Sequence, residues 1–202
     1  MRRKRVSLAI VSAILATLGL TAGADQGGRR GGGPGAPVGP PMAVAIPAFA
    51  DGTVIPDKYT ANSSSPVSPE INWTNAPPGT QSLVLHMRDP DVTRNRTVED
   101  QLHWLVWNIP PAAKGLPENV AKGPELPDGS RQTSASGPVY RAPGAPATAP
   151  MHHYTFEVFA LDITLDVANG EDPFEVRKAV LSAMNGHVLG KGAYVGLFHR
   201  TQ

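Results

Sequence analysis

The chain contains no cysteine, which excludes both a disulfide framework and a lipid-modified cysteine anchor. It also contains no internal repeat and no basic stripe of the kind that binds nucleic acid. Its apolar run from Leu8 to Leu20 is shorter than the roughly 20 residues that span a bilayer comfortably. The folded part must therefore be stable without covalent cross-links.

The first 24 residues have the organisation of a secretory signal peptide. Residues 2–5 are basic, the run from Leu8 to Leu20 has the length of a signal-peptide apolar region, and Ala22-Gly23-Ala24 offers the small residues that signal peptidase requires. We expect cleavage before Asp25 and export to the periplasm or the medium, with no stable membrane anchor left. An uncleaved anchor is the alternative. The arginine pair at 2–3 lacks the context of a twin-arginine signal, so the export route stays open.

Loss of this segment changes the sign of the formal net charge of the chain. It removes four of the 18 basic residues and none of the 17 acidic ones, which leaves a formal charge of −3. Arg29-Arg30 is an isolated pair in a glycine-rich stretch. Nothing in this pattern favours nucleic acid as a partner.

Residues 25–42 have the composition of a disordered linker. Positions 26–41 alone contain seven glycines and four prolines. The remaining segment, 43–202, has the length of one domain with a substantial core.

Hydrophobic periodicity predicts strands over Ser82–Asp89, Leu102–Ile109 and His152–Leu161. The second run is apolar on both faces, which is typical of a central strand covered on both sides. Shorter strand-like runs are Met42–Phe49, Ile71–Trp73 and Tyr194–Phe198.

Polar residues lie at the ends of the three main runs. Period-two alternation places Asp89 on the face of Leu83, Leu85 and Met87, where we expect it to be partly buried. It places His103 on the face of Leu105, Trp107 and Ile109. It also makes His152 and Tyr154 neighbours on one face, while His153 points away.

One helix is predicted over Pro173–Asn185, with Asp172 as its N-cap and Gly186 as its end. Its inner stripe would comprise Phe174, Ala179, Val180, Ala183 and Met184. Because helices do not alternate with strands, the pattern favours a mostly β domain with antiparallel pairing and one or two peripheral helices. The long proline- and glycine-rich stretch from Pro110 to Pro150 is expected to be a functional loop or disordered.

Several short motifs occur in a distinctive order along the chain. They are Ser68-Pro69-Glu70-Ile71-Asn72-Trp73, Pro78-Gly79-Thr80-Gln81-Ser82, Asp89-Pro90-Asp91, His103-Trp104-Leu105-Val106, Asn108-Ile109-Pro110, His152-His153-Tyr154 and Ala183-Met184-Asn185-Gly186-His187. From about Ala43 to the C-terminus, this series resembles the phosphatidylethanolamine-binding protein (PEBP) family, in its bacterial Raf-kinase-inhibitor-like branch.

The resemblance implies a large antiparallel sheet packed on a smaller sheet, with helices at the periphery. It also implies a small pocket for phosphate-like head groups, with residues supplied by the Asp-Pro-Asp, His-Trp and His-x-Tyr motifs and by a Gly-Pro-x-Pro-Pro loop whose nearest match is 142–146. The corresponding ligand-binding residues are Asp89, Asp91, His103, Pro143, Gly144, His152 and Tyr154.

Three departures from the family pattern affect this pocket. The 142–146 loop lacks the first glycine and one proline, so its amides can be aimed differently. Val92-Thr93 replaces the common Ala-Pro, and Leu102 replaces the aromatic residue often found before His103.

The expected function is binding of a small phosphate-like anion or phospholipid head group, without catalysis and without a cofactor. A phosphate would accept hydrogen bonds from His103, from Tyr154 and from amides of the 142–146 loop. Asp89 would orient an imidazole and keep it protonated, so binding would weaken as pH rises through the titration of His103.

Other interpretations of the same residues stay open. Asp89-Pro90-Asp91 could be a simple Asx-type turn, His103 a core histidine bonded to Asp89, and His152 a loop-facing residue. Surface loops could inhibit a protease or bind another protein. A hydrolase would need an activated nucleophile, yet no Gly-x-Ser-x-Gly motif occurs. Two histidines and a carboxylate could bind iron or zinc, although no His-Glu-x-x-His helix supports this.

Overall fold

The computed structural model describes residues 40–201, so the predicted signal peptide and most of the predicted linker lie outside the described residues. Met42, the last residue of that linker, is already buried in the core. None of the helices in the described range is long and apolar enough to cross a membrane.

The described residues form two β-sheets, one α-helix and one short 3-10 turn. The strands are β1 (Ala43–Ala45), β2 (Thr53–Val54), β3 (Ile71–Thr74), β4 (Ser82–Asp89), β5 (Gln101–Ile109), β6 (Gly115–Leu116), β7 (Arg131–Thr133), β8 (His152–Leu161) and β9 (Val188–Phe198). The helix α1 spans Pro173–Ala183, and the 3-10 turn spans Asp57–Tyr59.

The larger sheet has six strands in the order β2-β9-β8-β4-β5-β7, and the smaller has three in the order β1-β3-β6. All pairings are antiparallel except the edge pair of β2 with β9. The predicted class, a mostly β fold with a large and a small sheet and a peripheral helix, is confirmed.

Two apolar cores cover the two faces of the large sheet. One contains residues of the small sheet together with Leu85, Trp104 and Phe156. The other contains residues of α1 together with Val84 and Trp107. Since β4, β5 and β8 are covered on both sides, most of their residues are buried, including polar residues such as His86 and Glu157.

The helix begins as predicted but ends two residues earlier, at Ala183. The carboxylate of Asp172 accepts from the backbone N–H of Phe174 at 2.8 Å and of Glu175 at 3.4 Å, which caps the first turn. The predicted inner stripe is wrong at Ala179, which is exposed, and it omits Val176, which is buried.

The stretch from Pro110 to Pro150 is more ordered than its composition predicts. It contains β6 and β7, and its backbone is tied to the sheets by hydrogen bonds such as that from the N–H of Arg141 to the carbonyl of His103 at 3.0 Å.

A β-bulge in β5 changes the direction of His103. Met87 pairs with Trp104, whereas the next residue of β4, Arg88, pairs with Leu102, so His103 is an extra residue in the ladder. The ring of His103 meets Tyr154 on the side of the small sheet, whereas Leu105 and Trp107 belong to the core under α1. The predicted shared face with Leu105 and Trp107 is therefore wrong.

Candidate functional site

Asp89, the last residue of β4, has a carboxylate that is almost fully buried, at 2% exposure. Its Oδ1 accepts from the backbone N–H of Asp91 at 3.0 Å, which closes an Asx-type turn. Its Oδ2 accepts from Nδ1 of His152 at 2.8 Å. Because a buried carboxylate needs hydrogen-bond donors, Asp89 and His152 join the end of β4 to the start of β8.

Tyr154 follows His152 on the same face of β8, and its ring is fully buried. The phenol oxygen accepts from the backbone N–H of Gly144 at 3.2 Å and of Ala145 at 3.1 Å. Burial, followed by the negative charge of Asp89, raises the pKa of Tyr154 well above its ordinary value, so the phenol stays protonated. These two loop amides are already engaged, so they could donate to a ligand only after leaving the phenol.

His103 is held in place by the backbone of Arg141 rather than by Asp89. Its Nδ1 donates to the carbonyl of Arg141 at 2.9 Å, and its ring meets Tyr154 edge-on with centroids 5.0 Å apart. Burial lowers the pKa of His103 to about 4, so the imidazole is neutral near pH 7. With the proton on Nδ1, Nε2 is a hydrogen-bond acceptor. Asp89 does orient an imidazole, but that of His152, and the expectation of a protonated His103 is wrong.

These four side chains surround one cavity of about 390 Å³. Asp89 and His152 come from the junction of β4 and β8, Tyr154 from β8, and His103 from the bulge in β5. Nε2 of His103 makes no hydrogen bond within the described residues. It is nevertheless not sealed from solvent, because the one buried, unpartnered side-chain nitrogen or oxygen in that range belongs to His86. Nε2 of His103 therefore faces the opening. The cavity thus combines buried polar groups with access from outside.

Two of the predicted ligand-binding residues do not line this cavity. The carboxylate of Asp91 accepts from the backbone N–H of His153 at 2.6 Å and from Nδ1 of its ring at 3.0 Å. Burial disfavours the charged form of Asp91, whereas these hydrogen bonds favour it. The hydrogen bonds prevail, so the pKa of Asp91 is lowered. Pro143 is buried, and its carbonyl accepts from the N–H of Ala61 at 2.8 Å. Gly144, in contrast, is part of the wall.

Two arginines that the sequence did not single out complete the wall. Arg141 and Arg200 both line the cavity. The Nη1 of Arg141 donates to Oγ of Ser136 at 2.7 Å, and the N–H of Arg200 donates to the carbonyl of Ala145 at 2.9 Å. Neither lies in a motif that carries the resemblance. A search for basic residues flanking the 142–146 loop would have found only Arg141.

A metal is the other ligand that these side chains could bind. Asp89, Asp91 and His152 each offer one ligand atom, and these atoms lie within 4.8 Å of one another. Two carboxylates and an imidazole suit a divalent ion such as iron or zinc. Each of the three side chains, however, is already hydrogen-bonded within the protein, so metal binding would have to replace those bonds.

Comparison with known proteins gives consistent matches. The family model described as phosphatidylethanolamine-binding protein matches residues 45–199. The chain belongs to this family. A UPF0098 protein of Methanothermobacter thermautotrophicus is 39% identical over 155 residues, which cover 76% of this chain and 95% of the relative. A UPF0098 protein of Aquifex aeolicus is 35% identical over 160 residues, covering 79% and 89%.

Solved structures of PEBP relatives agree with the fold. The PEBP homologue CT736 of Chlamydia trachomatis has a TM-score of 0.67 at 28% identity, with 80% of this chain and 99% of that chain covered. YbcL of E. coli, described as a new member of the mammalian PEBP family, has a TM-score of 0.66 at 22% identity, with 79% and 99% covered. The second likeness is one of fold alone.

Proposed function

We propose that this PEBP-family protein binds a small phosphate-type anion, free or as a lipid head group, in the cavity bounded by Asp89, His103, His152 and Tyr154. The observation that carries the proposal is the pairing of a neutral imidazole acceptor with the two cationic side chains of the wall. Membership of a family named for phosphatidylethanolamine binding supports it.

A singly protonated phosphate matches both kinds of group. The oxygens of free phosphate or of a phosphate monoester accept from the guanidinium groups of Arg141 and Arg200, and the hydroxyl donates to Nε2 of His103. The phosphodiester of a lipid head group has no such hydroxyl, so it would be held by the guanidinium groups alone. Asp89 is a positioning residue in this scheme because its oxygens already accept from Asp91 and His152. Its charge is thereby shielded from the anion.

Binding without covalent catalysis is favoured by the composition of the wall. Among the described residues that line the cavity there is no serine, threonine or cysteine side chain. The buried Asp89–His152 pair resembles a base with its orienting group, but a nucleophile would be needed beside it. A generic esterase assay on the purified protein should give no turnover above that of buffer.

Isothermal titration calorimetry with inorganic phosphate and with O-phosphoethanolamine tests the proposal and separates the two ligand sources. We expect Arg141→Gln to weaken binding by about tenfold, because a charge-assisted bond is lost. The substitution leaves the backbone carbonyl that holds His103.

The matched control is Lys122→Gln, which removes one exposed cation away from the cavity wall. Its affinity should equal that of the wild type. Equal affinities of wild type and Arg141→Gln for both probes would remove the proposal, and equal losses in both variants would reduce it to nonspecific charge attraction.

We further propose that the protein acts outside the cytoplasm, after cleavage before Asp25. The order of basic, apolar and small residues in positions 2–24 supports this. Inhibition of a protease or of another protein through surface loops stays a prediction.

A further inference from the structure

A second and larger cavity, of about 510 Å³, lies between α1 and the outer face of the six-stranded sheet. Arg88 lines it, whereas the next residue, Asp89, lines the first cavity, because successive side chains of a strand point to opposite faces. The two cavities have no lining residue in common. We call the second one the helix cleft.

Two carboxylates hold basic side chains in place along the helix cleft. Asp100 accepts from Nη1 of Arg88 at 2.7 Å and from Nη1 of Arg177 at 2.6 Å. Glu157 accepts from Nε of Arg88 at 3.2 Å and pairs with Lys191. A guanidinium has five N–H donors, so both arginines keep donors that no bond among the described residues uses. The network positions cations without exhausting them.

The charge balance of the helix cleft favours an anion. Four arginine or lysine side chains line it, namely Arg88, Arg177, Lys178 and Lys191, against three acidic ones, Glu99, Asp100 and Glu157. Glu99 also faces Arg94 at 4.0 Å, outside this set. The cleft therefore has a small positive excess, which suits a ligand with one negative charge.

One buried nitrogen beside the helix cleft has no hydrogen-bond partner among residues 40–201. His86 is 5% exposed and lines the helix cleft, and its Nε2 is buried with no hydrogen bond within the described range. Its Nδ1 faces the Glu157 carboxylate at 3.7 Å. An unsatisfied buried polar atom is costly, and native proteins rarely leave one without a reason.

Apolar surface flanks the charges. Leu181 and the fully exposed Val98 line the helix cleft together with Phe159 and Phe174. The guanidinium of Arg94 lies 3.0 Å from the ring centroid of Phe174, and Nζ of Lys191 lies 5.1 Å from that of Phe159, so cations cover part of both rings. Aromatic and aliphatic walls with a few convergent polar groups are typical of sites for small organic molecules. The volume is in the range of such sites.

We propose that the helix cleft is a second binding site, for an organic carboxylate with an aromatic or aliphatic body. The planar carboxylate is complementary to the guanidinium of Arg88 and lies within reach of the lysines at the rim, while its apolar body packs on Leu181 and Val98. The site is independent of the phosphate cavity on the opposite face of β4.

NMR titration of the full chain tests this site with benzoate and hexanoate as probes, and with inorganic phosphate and benzyl alcohol as comparisons. We expect saturable shifts of the His86 ring and of amides in α1 and β9 with both carboxylates. Benzyl alcohol, which lacks the charge, should bind at least about tenfold more weakly. Tighter binding of phosphate than of the carboxylates would overturn the ligand class.

Charge reversal of one lysine at the rim of the cleft and of one away from it supplies a matched pair of variants. Lys178 is exposed, and its one ion pair among residues 40–201 is with Glu175 of its own helix. Lys178→Glu should therefore leave the fold intact and weaken benzoate binding by about fivefold. Lys122→Glu, away from the cleft, should leave the affinity unchanged. Absence of saturable shifts at these residues, or equal weakening by both variants, would overturn the proposal and leave a purely structural ion network.

Discussion

The phenol of Tyr154 connects the sheet to the 142–146 loop, which forms part of the wall of the cavity at Asp89 and His103. It is the acceptor for two backbone N–H groups of the 142–146 loop, and Asp89 lies beside it. Through this one oxygen, the position of Gly144 in the wall depends on a side chain of β8.

Replacement of Tyr154 by Phe should lower the free energy of unfolding by about 1–3 kcal/mol, because two N–H groups lose their buried acceptor. It should also weaken phosphate binding. Tyr140→Phe is the control, since the hydroxyl of Tyr140 donates to the carbonyl of Tyr59 at 2.9 Å and does not line the cavity. Urea denaturation and calorimetry of both variants check this, and retention of full affinity by Tyr154→Phe would contradict it.

The buried imidazole of His103 should make stability depend on pH in a defined window. The unfolded chain takes up a proton near pH 6.5, while burial delays this in the folded chain to about pH 4. Between these values the unfolded state binds more protons, so stability falls as pH falls from 6.5 to 4. The full difference is on the order of 3 kcal/mol.

His103→Gln, whose amide can still donate to the Arg141 carbonyl, should remove this part of the pH dependence. Urea denaturation at pH 7, 5.5 and 4.5 measures it in both proteins. An equally steep decline in wild type and variant would contradict a neutral, buried His103.

At the scale of elements, α1 provides a direct test of a sequence-based assignment. Asp172 caps the helix through two backbone N–H groups. Asp172→Ala should therefore cost about 1 kcal/mol of stability, whereas Asp172→Ser, which preserves an acceptor, should cost much less. Thermal unfolding of the two variants checks this, and an Asp172→Ala variant as stable as the wild type would show that the cap contributes nothing.

The strands that position the cavity could largely be predicted because their side chains alternate. Asp89 falls on the core face of β4, and His152 and Tyr154 are neighbours on β8, as period-two alternation requires. The pairing of Asp89 with His152 follows from β4 and β8 being adjacent and antiparallel, which the sequence alone does not reveal.

What could not be predicted arises where alternation is interrupted. The bulge at His103 depends on how β5 aligns with β4, and that register is set by pairing rather than by the local sequence. Arg141 and Arg200 reach the cavity from segments without periodicity. Ala179 is small enough to be exposed at little cost, so its hydrophobicity wrongly assigned it to the inner face of the helix.

On the scale of the whole molecule, the large sheet separates two cores and two cavities. The core toward the small sheet lies on the side of Tyr154, and the core under α1 lies on the side of the helix cleft. The two cavities share no lining residue, so the two proposed ligands would bind independently of each other.

The proposed export is a prediction about the whole chain. Expression with the native N-terminus in a bacterium should give a mature protein that begins at Asp25, because the small residues before it suit signal peptidase. Intact-mass analysis of the periplasmic fraction measures this. A protein that keeps residues 1–24 and sediments with membranes would instead indicate an uncleaved anchor.

The central claim is that the cavity at Asp89, His103, His152 and Tyr154 binds a phosphate group. Its most direct test is the structure of crystals soaked with O-phosphoethanolamine. The account predicts density for the phosphate within hydrogen-bond distance of Nε2 of His103 and of the guanidinium of Arg141 or Arg200, with Asp89 still bonded to His152. A cavity that stays empty at saturating ligand, or these side chains dispersed over the surface, would contradict it.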